Sequence, residues 1–126
     1  MEERELSASE TMVMKAIWEA EGDISVPDLM EVMRVRYGKD YKRTSIGTFL
    51  LRLSDKRFIS MYRKGRLSYV HVEKPEEEYR DMLSRKQLNL WFQGKSYQLF
   101  AALKDSGQLT KEDREKIREI IDGMDD

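Results

Sequence analysis

The chain has 126 residues, 40% of them apolar and 37% charged, which suits one small domain with a helical appendage. It has no cysteine and a single histidine, His71. That composition rules out disulfides, Cys-ligated zinc and thiolate chemistry, and leaves too few ligands for a metal site; no cofactor is expected. No apolar run reaches the length of a membrane span, and the acidic start MEERELSASE lacks the apolar core of a secretory signal, so a cytoplasmic protein is expected. The net charge of −1 hides a strong asymmetry. Residues 34–66 hold eleven basic and two acidic side chains, a local net of +9 between acidic flanks. Such a block suits an anionic partner.

In chain order, Ser7 and Glu10 form an S-x-x-E capping box. Val13, Met14, Ile17 and Trp18 follow at helical spacing, Glu21 closes the pattern, and Gly22-Asp23 ends it. Ser25 with Asp28, and Pro27 in the first turn, start a second helix with Leu29, Val32 and Met33 as its buried stripe. Gly38 is its C-terminal glycine. A third helix is expected to begin near Thr44 as its N-cap. Its core face is Ile46, Phe49, Leu50 and Leu53; Ser45, Thr48, Arg52, Asp55 and Lys56 lie opposite. The early part of that opposite face carries small hydroxyls instead of long helix-forming side chains, which permits close approach to base edges.

Two β-rich runs, 58–62 and 67–72, flank Arg63-Lys64-Gly65-Arg66 and read as a hairpin with a cationic tip. His71 reads as an ordinary strand residue. Three short helices and a basic hairpin make a winged helix-turn-helix with helix three as reader, over residues 1–73. The expected fold is therefore mainly α with a small β-hairpin wing.

The charged stretch 73–78 with Pro75 opens a second unit, residues 74–126. Helices are expected over 76–92 and 95–105, with breaks at Gly94 and Gly107, and a last one is capped by Thr110 and Asp113. Leu90, Trp91, Leu99, Phe100, Leu103, Ile117, Ile120 and Ile121 are more apolar surface than three short helices bury among themselves. A two-fold partner is the simplest cover, with packing back on the same chain as the alternative.

The order of these motifs resembles the penicillinase-repressor family of winged-helix regulators, the BlaI/MecI type. The resemblance rests on Leu6-Ser7, Glu10, Val13-Met14 and Ile17-Trp18-Glu19, then on Thr44-Ser45-Ile46, Thr48, Leu50, Arg52-Leu53 and Lys56. Gly65-Arg66 and Tyr69 carry it in the wing, and FQGKSYQLFAAL…LTKEDREKIREII carries it in the tail. It spans nearly the whole chain. It implies a dimeric repressor on palindromic double-stranded operator DNA. The implied contacts are Lys42, Arg43, Thr44, Ser45, Thr48 and Arg52 in the reading unit and Arg66 and Tyr69 in the wing.

This chain departs from the family pattern at several places. Gly47 stands where some relatives carry a long cation, and Arg57 where the family usually has glycine. Antibiotic-responsive members are cut by a sensor protease at an Asn-Phe bond in the tail, where this chain has Ala102-Leu103. Copper-responsive relatives use cysteines that this chain lacks. A winged helix that docks an acidic protein is the competing function. An enzyme is a poor third, for want of a nucleophile–base pair or a phosphate loop.

Overall fold

The computed structural model describes residues 5–125. Among them are six helices and a three-stranded antiparallel sheet in the order β1-β3-β2. The chain divides into two compact units, up to Asp81 and from Met82 onward. No helix among the described residues is long and apolar enough to cross a membrane.

The first unit is built on three helices. In α1 (Ala8–Glu19) the capping box is complete: the Glu10 amide donates to Ser7 Oγ at 3.2 Å, and the Ser7 amide donates to Glu10 Oε1 at 2.7 Å. The helix stops at Glu19, so the Glu21 expected inside it lies in the turn beyond. In α2 (Val26–Tyr37) the Ser25 hydroxyl accepts from the Asp28 amide, and Gly38 ends the helix at φ 64°. Its missing Cβ makes that left-handed exit cheap. Helix α3 (Arg43–Asp55) buries Ile46, Leu50 and Leu53 at helical spacing.

The sheet contains one strand more than expected. Ile24-Ser25 forms β1 and pairs with β3 (Leu67–Val72) in the register Ile24↔Val70 and Ser25↔Tyr69. A two-residue strand has no periodicity to reveal it. Strands β2 (Ile59–Lys64) and β3 pair from Ile59↔Val72 to Lys64↔Leu67. The turn is therefore only Gly65-Arg66, with Gly65 at φ 64°, and Arg63 and Lys64 belong to the strand. The buried core includes Val13, Met14, Ile17, Leu29, Met33, Ile46, Leu50, Leu53, Phe58, Ile59 and Val70.

Residues 56–58 join α3 to the sheet. Phe58 N–H donates to the Leu53 carbonyl and Arg57 N–H to the Ser54 carbonyl, both at 3.0 Å, a Schellman motif with Arg57 at φ 66°. Phe58 is fully buried, with Trp18 and Tyr79 around it at ring-centroid distances of 6.4 and 5.2 Å. Its carbonyl accepts from the amides of Glu73 and Lys74. Lys56 was expected on the solvated face of α3. Instead its ammonium donates to Glu10 Oε1 at 2.6 Å and to the Glu5 carbonyl. Glu10 is 1% exposed. Burial pushes its carboxyl up, but hydrogen bonds from Lys56 and Ser7 outweigh that and hold it below its ordinary 4.5.

The charge break at 73–78 falls where the sheet ends and α4 (Glu76–Phe92) begins. The first turn of α4 still packs on the head. Glu76 pairs with Lys15, and the Tyr79 hydroxyl accepts from the Leu6 amide at 3.0 Å. In the second unit, α5 (Ser96–Asp105) ends in a Schellman motif at Gly107, and α6 (Lys111–Asp122) starts from the Thr110–Asp113 capping box. Lys95, expected inside α5, is its N-cap. Neither α5 nor α6 contains a buried residue.

Two substitutions at the joint should move stability in opposite directions. Lys56→Met leaves the Glu10 carboxylate buried and unpaired, and should cost about 3 kcal/mol by urea denaturation at neutral pH. Glu10 is depressed in the folded state, so its contribution is present above about pH 4.5 and is lost as pH falls further. The penalty of Lys56→Met should therefore shrink in acid. Arg57→Gly removes the left-handed cost of a Cβ and should raise the midpoint, by roughly 0.5 kcal/mol once glycine's greater unfolded-state entropy is deducted.

Candidate nucleic-acid interface

Helix α3 presents a clean division. Its buried stripe runs through Ile46, Leu50 and Leu53, and Phe49 half-buries against Tyr41 in an edge-to-face contact at 5.2 Å. The opposite face is Thr44, Gly47, Thr48, Leu51, Arg52 and Asp55, all exposed. Ser45 lies at the margin and is half-buried. The N-cap is Lys42, not Thr44, and it makes no side-chain cap bond. Thr44 lies inside the first turn, and its carbonyl accepts from the Thr48 hydroxyl at 3.0 Å. The first turn holds no acidic residue, so the positive end of the helix adds to Lys42 and Arg43.

The basic block is not uniform. Arg34 pairs with Glu31, Arg36 with Glu19, and Lys56 with Glu10. Among the described residues Lys42, Arg43, Arg52, Lys64 and Arg66 make no ion pair, and all five are exposed. Lys39 just before α3 and Arg57 just after it are also exposed and make no ion pair, so the unpaired cations lie on and beside α3 and at the hairpin tip. Arg63 reaches back toward the Arg66 carbonyl at 3.4 Å and braces the turn.

The hairpin is held from its side. Tyr62 and Tyr69 face each other across β2 and β3 and stack at 5.5 Å with rings 12° apart. Tyr69 is half-buried by that stack. The Tyr62 hydroxyl donates to Asp23 Oδ2 at 2.6 Å, and His71 Nδ1 lies 2.8 Å from Asp23 Oδ1. The Tyr62 bond, then the His71 bond, pull the Asp23 carboxyl below the usual carboxylate range, and Asp23 in turn raises His71. His71 lies in a strand as expected, but with a carboxylate partner that sequence proximity did not suggest. One acidic residue from the α1–β1 turn thus tethers both wing strands.

Sequence reasoning named Thr44, Ser45, Thr48 and Arg52 on α3 and passed over Leu51. That side chain is 63% exposed and lies on the same face, four residues after Gly47 and three after Thr48. Its exposure was available from the helical period. A leucine among apolar neighbours in sequence reads as core until the stripe is drawn.

In the second unit the tail residues are placed as follows. Leu90, Trp91, Phe100, Ile120 and Ile121 are exposed, with Trp91 at 67% and Ile120 at 68%, while Leu99, Leu103 and Ile117 are half-buried. Between α5 and α6 lies an open groove of about 740 Å³, lined by Tyr97, Phe100, Ile117 and Ile121 with Lys104 and Arg114 among its cations. Ala102-Leu103 lies inside α5, with its backbone in helical hydrogen bonds.

Comparison with known proteins agrees with this geometry. The solution structure of the DNA binding domain of the repressor BlaI is 24% identical, with a TM-score of 0.53 over 62% of this chain and 92% of that one. The solution structure of the Bacillus licheniformis BlaI monomeric form in complex with the blaP half-operator is also 24% identical, with a TM-score of 0.50 and the same coverage. These likenesses show the fold. No curated protein matches the chain. The family model described as penicillinase repressor matches residues 6–123, nearly the whole length, and the chain belongs to the penicillinase repressor family, a family of DNA-binding repressors.

Proposed function

We propose that the protein is a homodimeric transcriptional repressor of the cytoplasm that binds a palindromic operator. Helix α3 lies in the major groove and the β2–β3 hairpin contacts the adjacent backbone as a wing. The observation that carries this reading is the pairing pattern of the basic block. Arg34 and Arg36 on α2 and Lys56 at the end of α3 are neutralised by carboxylates, while Lys42, Arg43, Arg52, Lys64 and Arg66 stay available, as do Lys39 just before α3 and Arg57 just after it. A merely solvated face has no reason to sort its charges that way. The structurally similar BlaI monomeric form is in complex with a half-operator, which supports DNA as the partner of this chain.

The roles divide by chemistry. Lys42, Arg43, Arg52 and Arg66 neutralise phosphates and fix position, and the small side chains Thr44, Ser45 and Thr48 admit the base edges. Tyr69 supports the wing through its stack with Tyr62. Residues 1–73 are the reading head and 74–126 the dimerisation segment. A second copy covers the apolar surfaces of α5 and α6, neither of which holds a fully buried residue. Two heads then meet half-sites one helical turn, or a multiple of roughly 34 Å, apart. With Ala102-Leu103 in place of the family's Asn-Phe, a sensor protease is a partner only if it accepts a different bond, and relief of repression by another signal fits this chain better.

Fluorescence anisotropy against duplexes from the gene's own upstream region tests the reading. The wild-type protein, dimeric by sedimentation, should bind with an affinity that falls steeply with salt. Arg66→Ala should reduce the slope of log affinity against log salt by about 1.8, the loss of one phosphate contact from each of the two protomers. Absence of binding, or binding indifferent to salt, would favour the docking of an acidic protein instead.

A further inference from the structure

Leu51 is out of place on α3 unless something apolar meets it. Single exposed apolar residues are common on protein surfaces and mean little alone. The neighbours of this one give it weight. Gly47, one turn before, adds no side chain, and nothing in the protein requires its absence: a Cβ built there meets no atom within 4 Å and the backbone is not left-handed. Glycine inside an exposed helix costs stability without any structural return here. Thr48 spends its hydroxyl proton on the Thr44 carbonyl, at 3.0 Å. With the hydroxyl turned to the backbone, the methyl group is what Thr48 offers outward. The outward face of the middle of α3 is therefore a notch at Gly47 between the Thr48 methyl and the Leu51 side chain. Lys42 and Arg43 flank it toward the helix start, and Arg52 lies beside it.

We infer that this apolar notch reads thymine. The major groove displays one apolar group, the thymine C5-methyl, and aliphatic side chains are what recognise it. The missing side chain at Gly47 lets the helix come close enough for Leu51 and the Thr48 methyl to close around that methyl. The cations around the notch bring it to an anionic duplex, which distinguishes this occupant from an apolar protein surface. The inference rests on the repressor reading and makes it more specific. The discrimination at the centre of each half-site is hydrophobic, and hydrogen bonds from the α3 hydroxyls contribute less there than the sequence pattern suggests.

Replacing thymine by deoxyuridine removes that methyl and leaves Watson–Crick pairing intact. Anisotropy titrations of the full chain would use an operator duplex in which each thymine of one half-site is replaced in turn. The wild-type protein should lose about threefold to tenfold in affinity at one or two thymines, the effect of exposing about one methyl group. Leu51→Ala should bind the unmodified duplex with a similar loss and be indifferent to uracil at those positions. Its thermal unfolding should match the wild type, since Leu51 packs against nothing in the core. A wild-type protein that binds equally well with uracil at every position would overturn the inference and leave the repressor reading standing. So would a Leu51→Ala protein with undiminished sensitivity to uracil. Failure of the wild type to bind any duplex would overturn the repressor reading and this inference with it.

Discussion

The left-handed turn at Arg57 is the constraint on which the rest of the head depends. It ends α3 abruptly, so that Phe58 points into the core and β2 starts at the next residue. An L residue there costs about 1–2 kcal/mol, and full burial of a phenylalanine returns about as much or more. The same few residues also carry the Lys56–Glu10 bond to the start of α1 and the amide bonds from Glu73 and Lys74 to the Phe58 carbonyl. Helix α3 and the hairpin are thus fixed to each other and to α1 through one short joint. A reading helix and a wing that must meet the same duplex need that rigidity more than they need any one contact.

Electrostatics then sorts the surface. Carboxylates from α1 and α2 neutralise Arg34, Arg36 and Lys56, which sit away from the proposed contact surface. An acidic residue such as Asp23 repels phosphate where it is free. Instead it is spent on Tyr62 and His71, where it holds the two wing strands. The acidic flanks of the basic block are therefore part of its architecture. They leave its unpaired cations on and beside α3 and at the hairpin tip.

Much of this was legible in the sequence, because local rules dominate local structure. The capping residues Ser7, Ser25 and Thr110, the glycine at 38 and the stripe Ile46-Leu50-Leu53 all act within one or two turns, and the structure places them as expected. What escaped depends on distant partners. Strand β1 exists only because β3 lies beside it, and Lys56 turns from solvent only because Glu10 arrives from 46 residues away. Thr44 has the side chain of a cap, yet the helix starts earlier, at Arg43, where the Lys42 backbone turns in. Leu51 was hidden by composition: in a run reading FLLRL, one leucine of three faces out. The tail was legible in the opposite sense. Its apolar excess could be counted, and the unburied faces of α5 and α6 match that excess.

The central claim is that the surface formed by α3 and the hairpin tip meets DNA. Backbone amide chemical shifts of the isotopically labelled full chain, recorded with and without an operator duplex, address it residue by residue. The largest changes are expected over residues 42–52 and 63–67, with little change on the outward faces of α1 and α2. Changes concentrated on those two helices, with α3 and the hairpin undisturbed, would contradict it.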